Sequence, residues 1–193
     1  IPSHLLEDAF GEPGRMMAEL YAAADKLHPD PTATNMHQPE VQDTMAVDAD
    51  TIWKVKGPGA PSAVDFGRRI EVMDVMGIDR QLVFPTNAIG AMIIGGMSDF
   101  GFEQRWGGDA SMFGKLSRAE FGERFVEAYN QWALDNSALN DRIRVVGIIR
   151  TRDTADEMIA SARKLVEAGI RAVYLQADSP PGGVSPAHSS LDP

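Results

Sequence analysis

This chain has no cysteine, no apolar run near the ~20 residues that span a bilayer, and few cations: 18 Lys and Arg against 28 Asp and Glu in 193 residues. Each shortage excludes something. Without cysteine there are no disulfides and no thiolate metal ligands, a composition compatible with the cytosol. A net charge of −10 argues against nucleic acid or an anionic membrane surface as partner. No basic-then-apolar leader opens the chain, and Ile1 in place of Met reads as a trimmed or processed start. A cytoplasmic location is therefore expected. What is present is ordinary for a globular protein: 44% apolar and 24% charged residues, with length for one domain or two.

The sequence divides near residue 65. Residues 1–65 read as irregular, with Ile1–Glu7 as the tail of a strand and a short helix around Arg15–Lys26. From His28 to Pro61 there are five prolines and few periodic apolar positions, which suggests a long insertion or lid. Thr51-Ile52-Trp53-Lys54-Val55 alternates and predicts a small hairpin strand.

Residues 66–193 are more regular. Phe66, Ile70, Met73 and Met76 recur at helical spacing before Gly77, and Gln81–Phe84 then reads as a strand buried on both faces. Asn87–Lys115, rich in Gly and Met, predicts a loop with one short helix. Ser117–Glu120 and Thr154–Glu157 have the form of capping boxes, each followed by helical periodicity. Arg144–Arg150 and Ala172–Gln176 read as further strands, and Gly169 as a helix stop. The order is strand, helix, strand, helix, strand: a parallel α/β arrangement.

Several blocks together resemble the amidohydrolase-related proteins of the aminocarboxymuconate semialdehyde decarboxylase type. They are Met73–Thr86 (MDVMGIDRQLVFPT), Tyr129–Trp132, Arg142–Gly147, Ala168–Val173, and Ser185–His188 with Leu191–Pro193. The resemblance implies a (β/α)8 TIM-type barrel, present here as an incomplete N-terminal half. It further implies one divalent metal, zinc or manganese, at the carboxyl ends of the strands. Members include carboxy-lyases and hydrolases of small carboxylate or ring substrates. The family's first strand carries an acid or His, any residue, then His, often followed three positions later by Glu. Ser3-His4-Leu5-Leu6-Glu7 is similar, making His4 and Glu7 the implied metal residues, although Pro2 stands where the first ligand belongs. The later metal histidine and catalytic Asp of the family fall on strands beyond Pro193, so no catalytic residue is nominated.

Strand ends supply the remaining candidates. Thr86 and Asn87, Arg150 and Arg152, and Gln176 and Asp178 follow the three expected strands, where an arginine can grip a carboxylate bidentately. The alternative for Arg150 and Arg152 is loop solvation or a pair with Asp153. His28, His37 and His188 fall in Pro-rich segments and read as solvated, as do Glu71 and Asp74 on their helix. Trp106, Trp132 and Tyr129 read as packing anchors. The glycines of 90–101 lack the Gly-Lys-Ser/Thr of a phosphate loop. The expected function is a metal-dependent lyase or hydrolase of a small-molecule carboxylate, with self-association left open. The alternatives are a catalytically inactive half-barrel or an α/β domain that binds a ligand without turning it over.

Overall fold

Leu6 and Phe10, four residues apart, are both buried, and that spacing makes the amino-terminal segment helical where a strand was expected. The computed structural model describes residues 1, 3–27, 43–63, 65–150, 154–176 and 188–189. A 3₁₀ turn, Ser3–Leu5, leads into α1 (Leu6–Phe10), and α2 (Glu12–Leu27) follows at once. The stretch expected as a lid is described only from residue 43 onward, so His28 and His37 lie outside the described residues.

Helix α3 (Ala49–Lys54) replaces the predicted hairpin strand. Asp48 accepts from the N–H groups of Asp50 and Thr51, and the Thr51 hydroxyl accepts from the Asp48 N–H. This reciprocal cap starts a helix, and the cap overrides the alternation, which reflects only one buried residue, Ile52. Helix α4 (Arg69–Met76) ends at Gly77, whose φ of 68° is the left-handed conformation glycine adopts at little cost.

β1 (Gln81–Val83) is not buried on both faces: Leu82 is 51% and Phe84 63% exposed. α5 (Thr86–Gly96) and α6 (Asp99–Trp106) fill most of the segment expected to be a loop. α7 (Arg118–Ser137) follows its Ser117 capping box, then β2 (Ile143–Val145), β3 (Gly147–Ile149), α8 (Ala155–Glu167) behind Thr154, and β4 (Val173–Leu175).

α7 organises the core. Phe121 and Phe125 are fully buried, each worth about 1.5–3 kcal/mol over an exposed ring. They join Phe10, Phe113, Tyr129 and Trp132 in a chain of tilted and edge-on ring contacts. Leu6, Met17 and Leu20 belong to the same apolar cluster, so the amino-terminal helices and the later elements share one core. α5 lies close against α7 because Gly122 has no side chain: a Cβ there would sit 2.9 Å from the Ala91 carbonyl oxygen.

The protein is of mixed α/β class, mostly helical, with short parallel strands. β1 pairs in parallel with β2, and β3 with β4. Gln81 N–H donates to Arg142 and Val146 N–H to Val83 on one side, while Gly147 N–H donates to Ala172 on the other. The strands form two two-stranded parallel sheets that share the stretch 143–149, the middle strand of the arrangement, with β1 along its first half and β4 along its second. Spatial order follows chain order.

Candidate functional site

A cleft of about 700 Å³ opens beside the carboxyl end of β1. Its first wall is Val83, Phe84, Thr86 and Asn87; α7 contributes Tyr129, Gln131 and Trp132; the amino-terminal segment adds Ile1, Leu5 and Asp8; Phe66 and Arg69 also line it.

Pro85 shapes the strand end. Its φ of −83° and ψ of 58° form an inverse γ-turn, closed by the Thr86 N–H donating to the Phe84 carbonyl at 3.0 Å. The chain reverses within one residue and α5 begins immediately, leaving Thr86 and Asn87 on the cleft wall. Asn87 Oδ1 accepts from the Tyr21 hydroxyl at 3.1 Å, and its Nδ2 donates to the Ile1 carbonyl at 3.4 Å.

Pro85 also ends the ladder. The next rung after Val146→Val83 requires the N–H of residue 85, which proline lacks. The Tyr129 hydroxyl donates to the Val146 carbonyl instead, at 2.8 Å. One residue on, the Asn130 side-chain amide accepts from the Ile148 N–H at 2.8 Å and donates to its carbonyl at 3.0 Å. Ser137 Oγ accepts from the Val145 N–H, which points to the side where β4 has not yet begun. Burial pushes the Tyr129 hydroxyl far above its ordinary pKa, so it stays a donor.

The structure sorts the sequence candidates. Thr86 and Asn87 line the cleft; Arg150 and Gln176 do not. Arg150 pairs with Glu123 at 3.3 Å and with Glu127 at 4.0 Å on α7, outside the cleft lining. Gln176 is half-buried behind β4. His4 and Glu7 are not among the residues that line the cleft, and the His4 Nδ1 is buried without a hydrogen-bond partner among the described residues. Glu7 is exposed on the first turn of α1. His188 is exposed, and Pro2, Arg152 and Asp178 lie outside the described residues.

Two charges read as solvated are engaged: Asp74 pairs with Arg142 at 2.6 Å, and Glu71 with Arg68 at 3.7 Å. Sequence reasoning missed Arg69 altogether. Its signal was weak, a second arginine at a helix start, yet its side chain lines the cleft. Burial lowers its pKa, opposed by the nearby Asp43 carboxylate. Asp8 and Asp135 are exposed residues of the cleft lining.

No group of three His, Cys, Asp or Glu side chains converges on a common point among the described residues. No helix among them is long and apolar enough to cross a membrane. Compared with protein-family models, curated proteins and solved structures, the chain gives no match, so its function is read from the cleft and from the sequence pattern.

Proposed function

We propose that the chain is part of an amidohydrolase-type (β/α)8 barrel, acting as a metal-dependent decarboxylase or hydrolase on a small carboxylate or ring substrate. The supporting observation is the arc itself: parallel strands in chain order, with a cleft at the carboxyl end of β1, where such folds keep their chemistry. The blocks that carry the resemblance map onto this arc: Met73–Thr86 spans the end of α4 through β1 to the cleft, and Arg142–Gly147 enters the middle strand.

The donor set fits a metal only in part. His4, with an orphaned ring nitrogen, and Glu7, three residues on, are of the types zinc or manganese takes. A third donor is missing among the described residues, so no chemical step is routed through a cation here. The cleft residues supply binding and orientation: Thr86 and Asn87 as polar contacts, the aromatic wall as apolar surface that excludes water.

That missing donor favours the second reading, an α/β domain that holds a small ligand without turning it over. Metal analysis of the purified chain separates the two. Near-stoichiometric zinc or manganese, lost in His4→Ala and reduced in Glu7→Gln, supports the enzyme; metal content that ignores both substitutions overturns the assignment of these residues.

A further inference from the structure

The Asn87 side chain is held at both ends, and its two partners decide which way the amide faces. The Tyr21 hydroxyl on α2 donates to Asn87 Oδ1 at 3.1 Å. Asn87 Nδ2 in turn donates at 3.4 Å to the Ile1 carbonyl, a group that can only accept. Turning the amide over would set its oxygen against that carbonyl, so both contacts favour one orientation. Asn87 and Ile1 line the cleft, whereas Tyr21 does not.

The Tyr21 end is the firm one. Tyr21 is half-buried and packs against the apolar core. A Cβ at Gly90, one turn beyond Asn87 on α5, would stand 3.6 Å from its hydroxyl oxygen, so that oxygen lies against the helix. Burial raises the Tyr21 pKa, opposed by the Arg105 charge, and the hydroxyl keeps the proton it donates. The Nδ2 end is loose. Its bond of 3.4 Å is longer than the roughly 2.7–3.2 Å of an ordinary N–H···O contact. A ligand oxygen at normal distance would displace it. Nδ2 carries two N–H donors and no acceptor, so it discriminates by hydrogen-bond sense.

We propose that Asn87 sets the specificity of the cleft by offering Nδ2 to an acceptor oxygen of the ligand, and that Tyr21 is the positioning residue that keeps the amide in that sense. The ligand is a carbonyl or carboxylate compound whose ring lies against Phe84 and Trp132, which line the same cleft. This rests on the reading of the cleft as the ligand site. It requires no metal. A ligand that brings only an N–H to this point sets donor against donor and loses the bond.

The test is a proton–nitrogen NMR titration of the full chain with acetophenone and benzoate, which present acceptor oxygens, and with indole, whose polar atom is an N–H. The Trp132 Nε1–H, assigned by its loss in Trp132→Phe, reports entry to the cleft. The Asn87 Nδ2 pair, assigned by its loss in Asn87→Asp, reports the contact. Acetophenone and benzoate should shift both saturably, and indole should bind about tenfold more weakly. Asn87→Asp keeps an oxygen for Tyr21 but replaces the donor with an acceptor, so it should weaken acetophenone about tenfold and tighten indole. Tyr21→Phe frees the amide to turn and should bring the acetophenone-to-indole affinity ratio toward one, a readout that lost stability alone would not move. Indole binding as tightly as acetophenone, or a ratio unchanged in Asn87→Asp, overturns the role of Asn87 even where Tyr21→Phe does not fold. A ratio unchanged in folded Tyr21→Phe overturns the role of Tyr21. Probes that shift Trp132 and leave Asn87 still overturn this proposal alone; no shift at Trp132 with any probe overturns the cleft as ligand site and this proposal with it.

Discussion

The Tyr129 hydroxyl donates to the Val146 carbonyl at 2.8 Å, in the rung that Pro85 leaves open. A proline at the end of β1 turns the chain toward the cleft, and a tyrosine on α7 restores the bond the turn removes. The same helix turn places Asn130 against Ile148, so the side of the middle strand beyond β1 is paired by side chains.

Tyr129→Phe keeps the ring packing and leaves a buried carbonyl unsatisfied, so it should cost about 1–3 kcal/mol in urea unfolding. Asn130→Leu abandons two groups of Ile148 and should cost more. A loss in Tyr129→Phe within about 0.3 kcal/mol of zero would mean the rung is dispensable.

Gly122→Ala sets a local gain against a clash. Alanine is the better helix former by about 1 kcal/mol. Its Cβ would stand 2.9 Å from the Ala91 carbonyl, a backbone atom that can yield only if α5 moves. The clash should win, with a net loss of about 1–2 kcal/mol and a lower melting temperature.

Ser62→Gly should stabilise the fold in urea unfolding. Glycine relieves the left-handed backbone and deletes an unmet hydroxyl, for a gain of about 1–2 kcal/mol. A urea midpoint no higher than the parent's would show that neither the backbone conformation nor the unmet hydroxyl costs the fold.

Acid should loosen the starts of α7 and α8. Glu120 is held below its usual 4.5 by the Ser117 N–H and then the Ser117 hydroxyl, and Glu157 likewise by Thr154. A lowered carboxylate pKa gives stability that is complete above the unfolded value and disappears as pH falls through the folded one. Unfolding titrations from pH 6 downward should therefore show stability declining from about pH 5. Glu120→Gln with Glu157→Gln should flatten part of that slope; an unaltered slope would place the acid sensitivity elsewhere.

The capping boxes at Ser117 and Thr154 and the Gly77 stop were legible because each is a local hydrogen-bonding or backbone rule that needs no tertiary partner. The parallel order was legible because helical spacing separates the strands. Ile1–Glu7 was misread because its apolar residues are too few to show a period; only packing of Leu6 and Phe10 against α7 makes it a helix. α5 was missed because Gly95 and Gly96 resemble a loop until Gly122 is seen to demand small neighbours. At the cleft, Thr86 and Asn87 followed from the strand-end rule. Arg150 obeyed that rule equally and pairs with Glu123 instead, whereas Arg69 obeys no strand rule and lines the cleft from the start of α4.

The hold of Asn130 on Ile148 has a dynamic corollary. An amide gripped by a helix side chain cannot trade its proton for deuterium unless that helix departs, so Ile148 reports on α7 rather than on a neighbouring strand. Helix and middle strand should thus melt as one cooperative unit, with the slow amides of residues 143–149 and of α7 sharing a single opening free energy.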